Sequence, residues 1–524
     1  MATSEDVVTM EENKDKNESE IPKTPDEIRR RVSECYASLG LDDHPSLCAP
    51  EGITFDFCWG ARVYIPDAPV RKSYRVRFWD AVDRHCVFDG KVGASSWVQT
   101  TLHYYKPLLL QIDDGETGAE VFRHRMDLTD KPVLISFPVE TVGDTLAWFQ
   151  ACEEFRNEHQ CKLYVAMAPH MRKLLESAHP DITFIERHQM RSLRPYAFYQ
   201  MGVNFDGNDT IQPYDWRMVP LNWHGANLLG VDAKAQGDTP PAIHIAEGGR
   251  PFDEPYVCIS TMASGGCKLW LNPTGWERVV DFLKENGYRV LDIDGNKLVG
   301  KGIAYQRIPS NAEDWTGKGE GKELADRARL IRHADFFIGI GSGLSWLAWC
   351  CKVPVVLISG FSMPWCEFYT PYRVYNSYVC HGCFNDVRHK FDGHDCFWCP
   401  KHKNDEEHLI CSLAITPEQV IDAIKRIPEF NRHLQRVIDA KNGKTEDGLK
   451  EPKTEDAKEP AIEKVDGEEE TYRVKGGDVD GGETNAEDGT VSRTHIVIQP
   501  GDALARTFID KINAANADKT TEDK

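Results

Sequence analysis

The chain has 524 residues, 41% of them hydrophobic and 10% aromatic, enough for roughly three or four domains with cores of ordinary size. It carries 62 Lys and Arg against 83 Asp and Glu, a formal net charge of −21, which excludes nucleic-acid phosphate and anionic membrane surfaces as its main partners. The acidity concentrates at the ends, with 3 basic against 7 acidic residues in 1–25 and 13 against 21 in 441–524.

Residues 1–24 form an acidic leader too poor in large apolar groups to offset chain entropy, so it is expected to be disordered. It shows no basic stretch followed by an apolar one, and the expectation is a cytoplasmic protein. Segment 25–50 holds a short amphipathic helix, with Thr24 as N-cap and Pro25 at the first helical position, and a linker. From 51 to 131 the runs ITFDFCWGARVYI, YRVRFWDAV and VQTTLHYYKPLLLQI alternate and are rich in β-branched and aromatic residues, which predicts an all-β domain. At Pro132 the pattern changes to short apolar strands followed by helical stretches, VLISFPV then DTLAWFQACEEFRNEHQ then KLYVAM. The same alternation resumes at YVCIST after a polar stretch, and runs through YRVLDID, DFFIGI and PVVLIS. The fold class is therefore α/β, with two Rossmann-like halves at 132–240 and 241–440. Ligands of such sheets bind at the carboxyl ends of the strands, so the loops after Val139, Ser260, Asp292 and Ile340 are the places for chemistry. The uncharged run Phe336–Cys351 is shorter than the roughly 18 to 20 apolar residues of a membrane span and is broken by Gly339, Gly341 and Gly343. Residues 441–524 read as an acidic disordered tail, except that Thr494–Asn516 has the apolar content for a short strand and helix or for an exposed apolar patch.

Three of those loops carry candidate groups. Asp144, in FPVETVGDTL, opens a helix, where a carboxylate either caps free backbone N–H groups or faces a cleft as a general base. In STMASGGCKLW, Thr261 and the small residues after it allow close approach of a ligand, and Lys268 is either a surface cation or a counter-charge for a leaving diphosphate. Gly341, Ser342, Gly343 and Leu344 lie between a strand and a helix, as a packing turn or as a phosphate site at the helix N-terminus. No P-loop lysine or strict G-x-G-x-x-G accompanies them.

Sixteen cysteines in a reducing compartment point to core thiols and metal ligation rather than disulfides. Cys380-His-Gly-Cys383, Cys396-Phe-Trp-Cys399 and Cys411, within 378–412, have the spacing of a thiolate metal finger. Five thiols compete for four positions, and spacing does not choose between zinc and iron. His381 and His389 nearby suit outer-sphere or surface roles better than ligation.

Taken together, FPVETVGDTLAWFQACEEFRNEHQCKLYVAM, MASGGCKLW, GWERVVDFLKENGYRVLDID, GSGLSWLAW and VCHGCFND…WCPKH resemble the bacterial autotransporter heptosyltransferases, protein O-glycosyltransferases related to the lipopolysaccharide heptosyltransferases. The resemblance runs from about Gly52 to about Ala440. It implies a GT-B fold with an N-terminal β domain, and inverting transfer of heptose from ADP-heptose to serine hydroxyls of an acceptor with serine-rich repeats. It also implies one iron per subunit, and a ring-shaped homo-oligomer such as a dodecamer. On its motifs Asp144 is the general base, while Lys268, Thr261, Gly341, Ser342, Gly343 and Leu344 form the donor side. Cys380, Cys383, Cys399 and Cys411 hold the metal, leaving Cys396 as an extra thiol. Another nucleotide sugar, or a non-catalytic scaffold braced by the metal, remain the alternatives.

Overall fold

The computed structural model describes residues 25–203, 212, 215–233, 239–301, 304–441, 462–464 and 472–474. The acidic leader, most of the tail and the stretch Thr494–Asn516 lie outside the described residues. Contacts divide the chain into Met1–Thr445 and Glu446–Lys524, and in the second unit Ile462–Lys464 pairs antiparallel with Tyr472–Val474.

In the first unit two parallel sheets are built from short strands buried on both faces, as crossover helices on each side require. The first orders Thr183–Ile185, Lys162–Ala166, Pro132–Ser136, Ala197–Gln200 and Thr54–Cys58 in parallel, and continues antiparallel through Arg62–Ile65 and Ser96–Gln99. Segment 51–131 thus divides its strands between two sheets. Four of them, in the order Cys86–Val92, Tyr74–Asp80, Leu108–Asp114, Glu120–Arg125, make a separate antiparallel sheet, while Thr54–Cys58 is hydrogen-bonded in parallel to Ala197–Gln200. Burial explains the partition, because Phe55, Asp56, Phe57 and Cys58 are all buried, which fits an inner strand of a covered sheet and not one with a wet face.

A buried ion pair anchors this junction. Arg62 Nε donates to Asp56 Oδ1 at 2.6 Å, the pair is at most 3% exposed, and the guanidinium lies 4.1 Å from the centre of the Tyr36 ring on the N-terminal helix. Asp56→Ala leaves Arg62 charged and unpaired in the interior, so we expect a loss of about 3–5 kcal/mol of stability in chemical denaturation. A loss under 1 kcal/mol would mean that water or the carbonyls of Asp42 and Asp43, which Arg62 also reaches, take over the charge.

The second sheet orders Glu313–Asp314, Arg289–Asp292, Tyr256–Ser260, Phe337–Ile340, Val355–Ile358 and Arg373–Val374, all parallel. Helix Gly275–Glu285 covers it with Trp276, Val279, Val280 and Leu283, apolar positions three and four apart on one face. Helix Pro417–Ile424 packs beside it, opened by a Thr416 cap and Pro417 at the first position. Among the described residues no helix is long and apolar enough to cross a membrane.

Candidate active site

Loops from both sheets line one cavity of about 970 Å³. The first half contributes Thr141 to Asp144, Val203, Trp216 and Leu221; the second contributes the loops after Ser260, Asp292, Ile340 and Ile358, and part of the cysteine segment. The cavity therefore sits where open parallel sheets place ligands, at the carboxyl ends of their strands.

Asp144 lies in the first turn of helix Val142–His159, and its Oδ2 accepts a 2.6 Å hydrogen bond from the Thr141 hydroxyl. The N-cap position is Thr141, and no side chain caps the backbone there, so the carboxylate lines the cavity instead of serving as a cap. Behind it His224 is fully buried; its Nε2 pairs with the Gly202 carbonyl at 2.7 Å, and burial lowers its pKa to about 4, leaving a neutral ring.

The start of that helix touches the start of helix Gly343–Cys350 across the cleft. A Cβ on Gly343 would lie 2.8 Å from Val142 Cβ, and one on Gly143 would lie 3.0 Å from Trp346 Cδ1 and 3.5 Å from Gly343 Cα. Two helix N-termini thus converge on one cavity wall, each offering free N–H groups and positive potential. Ser342 Oγ is buried there with no hydrogen-bond partner among the described residues. Gly343→Ala forces the backbones apart, because neither Val142 Cβ nor a helix start can swing aside. The expected result is a kcat/KM about 10- to 100-fold lower with near-native thermal unfolding, and native kinetics would show that the contact is not needed for alignment.

Lys268 lines the cavity from the turn Gly266–Lys268, and no hydrogen bond or ion pair of its ammonium is found among the described residues. The cysteine segment holds this turn. Gly266 N donates to Cys396 Sγ at 3.2 Å, Cys267 N donates to the Cys396 carbonyl at 2.9 Å, and a Cβ on Gly266 would strike the Phe397 ring at 2.6 Å. Thr261 does not line the cavity. It is fully buried beneath it, its backbone N donates to Asp294 Oδ2 at 2.7 Å, and its hydroxyl to the same oxygen at 3.1 Å. Asp294 also accepts from Ser260 Oγ and Met262 N, and so ties the loop after Ser260 to the loop after Asp292. Burial and the neighbouring Asp294 raise the Asp292 pKa, and burial raises that of Asp294 as well.

Cys380, Cys383, Cys399 and Cys411 share one region of the second half. Burial and then the neighbouring Cys380 thiol push Cys383 up to about 12; burial and then Cys399 and Cys380 push Cys411 up to about 12. Clustered thiols whose thiolate forms would repel one another are a donor set that a soft cation stabilises in the deprotonated form. Gly382, at φ +69°, makes the tight turn of the first knuckle, and His381 Nδ1 is engaged by the Val379 carbonyl at 2.8 Å. Among the described residues, the group of three whose ligand atoms lie within 4.8 Å of one another is Asp80, Asp83 and His85, and no three of the cysteine sulfurs meet that spacing. Asp80 there accepts from the backbone of Val82 and Asp83 and from Lys106 Nζ, which accounts for it as a turn. All sixteen cysteines carry free thiols.

Several cavity residues lie outside the predicted set, among them Asp294, Asn296, Trp216, Phe391 and Glu367. Asp294 and Asn296 follow Asp292, a strand end already marked for chemistry, but their residue types read equally well as a polar turn. Glu367, in GFSMPWCEFYT, carries no spacing signal.

Residues 227–385 match the family model "Glycosyltransferase family 9 (heptosyltransferase)", and residues 49–116 match "Glycosyltransferase TibC, N-terminal domain". With two Rossmann-like sheets facing one cleft, the protein is a glycosyltransferase of the GT-B class. The autotransporter heptosyltransferase TibC of Escherichia coli O78:H11 is 40% identical over 385 residues, 74% of this chain and 92% of that protein. The chain belongs to the autotransporter heptosyltransferase family. A crystal structure of TibC, described as an iron-containing dodecameric glycosyltransferase, superposes with a TM-score of 0.69 at 39% identity, over 76% of this chain and 99% of that one. A second, in complex with ADP-D-beta-D-heptose, gives a TM-score of 0.69 at 40% identity over 75% and 99%. The family also includes BimC of Burkholderia thailandensis, an inactive autotransporter heptosyltransferase, 36% identical over 395 residues, 74% of this chain and 88% of that protein.

Proposed function

We propose that this enzyme transfers heptose from ADP-heptose to serine hydroxyls of an acceptor protein such as an autotransporter, with inversion at the anomeric carbon. The observation that carries this reading is one cavity that gathers Asp144, Lys268, Ser342 and the N-terminus of helix Gly343–Cys350. The relative that binds ADP-heptose at 40% identity supports the donor.

A serine hydroxyl is a weak nucleophile. Asp144 takes its proton as the oxygen attacks the anomeric carbon from the face opposite the departing ADP. Negative charge then grows on the diphosphate. Lys268, Ser342 Oγ and the N–H groups of Gly343 and Leu344 stabilise it. Thr261 acts from below, by holding Asp294 and the loop that carries Lys268.

Cys380, Cys383, Cys399 and Cys411 would hold one iron, with zinc as the alternative. A closed four-thiolate site supplies structural bracing. The segment it braces grips the Lys268 turn through Cys396 and Phe397, so the fifth thiol serves docking rather than ligation. The reading includes a ring-shaped homo-oligomer, supported by the dodecameric relative, and a cytoplasmic site of action.

The test is calorimetric titration of the metal-loaded chain with ADP-heptose and a panel of other nucleotide sugars, followed by NMR assignment of the product's anomeric configuration. Selective binding of ADP-heptose and an inverted product are expected. Preference for another nucleotide sugar would replace the donor, and no binding of any would favour a non-catalytic scaffold role.

A further inference from the structure

Glu367 follows strand Val355–Ile358 and lines the cavity with a side chain only 10% exposed. Its Oε2 accepts from Arg373 Nη1 at 2.8 Å, and its Oε1 accepts from Ser362 Oγ at 2.6 Å. Arg373, 8% exposed, also donates to Ser362 Oγ at 3.2 Å, so the carboxylate is fixed from behind. A buried ion pair contributes little to stability by itself, whereas one that presents a carboxylate oxygen to a cavity is a preorganised acceptor. Access to it depends on Gly341, where a Cβ would lie 2.7 Å from Glu367 Oε1.

A carboxylate accepts hydrogen bonds and offers none, and it repels phosphate. Its ligand partner must therefore be a set of donors beside the diphosphate. The order of strands across the sheet says which end of the donor that is. The loops after Asp292, Ser260, Ile340 and Ile358 lie in that sequence, so a diphosphate at Ser342–Leu344 sends one end of the molecule toward Asp294 and the other toward Glu367. The reacting sugar must face Asp144, and the Glu367 loop is the one tied to that side. Trp148 Nε1, on the Asp144 helix, donates to the Leu221 carbonyl at 3.0 Å, and Leu221 N donates to the Cys366 carbonyl at 2.8 Å.

We propose that Glu367 binds the transferred sugar, accepting hydrogen bonds from its hydroxyl groups, and so helps determine which sugar this enzyme takes. The proposal rests on the donor reading above. The test is calorimetry on the full metal-loaded chain with ADP and with ADP-heptose, comparing native, Glu367→Gln and Ser362→Ala forms. Glu367→Gln should lose about tenfold or more in affinity for ADP-heptose while its affinity for ADP stays within about twofold. Ser362→Ala, which frees the carboxylate without removing it, should lose less for the sugar nucleotide and nothing for ADP; it decides the matter if the glutamine form does not fold. Equal losses for both ligands would overturn the proposal in favour of a brace or a nucleoside contact, and so would no loss for either. A native chain that binds ADP and is indifferent to the heptose would overturn the donor reading and this one with it.

Discussion

Asp144→Asn is expected to lower kcat for transfer by about 100- to 10,000-fold while leaving ADP affinity and thermal unfolding unchanged. The amide is isosteric, and its oxygen can still accept the 2.6 Å hydrogen bond from Thr141, so the helix start keeps its geometry. What is lost is the capacity to take a proton. Because Asp144 makes no capping bond to the backbone, the variant separates chemistry from stability more cleanly than a helix-opening aspartate ordinarily allows. Single-turnover kinetics with ADP-heptose and an acceptor peptide measure the effect. A loss below tenfold would remove Asp144 from the base role.

Lys268→Ala should lower kcat by about 100- to 1,000-fold, with a smaller rise in KM for the donor, because the charge it opposes grows during bond breaking. Lys268→Arg should recover only part of the rate, since a planar guanidinium does not reproduce a compact ammonium on a turn gripped by Cys396 and Phe397. A proportionate loss of donor binding with kcat intact would instead mark Lys268 as a ground-state anchor. The two variants together divide the cavity. Asp144 governs the acceptor's proton and Lys268 the leaving group, so neither loss should be rescued by higher donor concentration.

Much of this architecture is legible in the chain because parallel strands buried on both faces leave a plain signature. VVLI at Val355–Ile358 is apolar at every position, and all four residues are buried. The Gly-Asp loop and the Gly-Ser-Gly turn are legible for the same reason, as small residues where a strand gives way to a helix. Their contact is not. Nothing in the spacing of Gly143 and Gly343 says that each needs to be glycine because of the other. The strand Thr54–Cys58 likewise carries no mark of its partner Ala197–Gln200, for hydrogen-bond pairing between segments so far apart is decided by the packing of the whole sheet. Thr261 is legible as part of a motif, but its burial under Asp294 depends on a residue 33 positions on. Glu367 could not have been singled out, because its role comes from Arg373 behind it and Gly341 in front, and neither lies at a fixed motif distance.

The most direct test of the account is the intact mass of a serine-rich autotransporter passenger coexpressed with this chain, or with its Asp144→Asn form, in cells that make ADP-heptose. The account predicts a ladder of mass increments of one heptose each with the native chain and none with the variant. An unmodified passenger beside a soluble, metal-loaded native chain, or equal ladders from both forms, would contradict it.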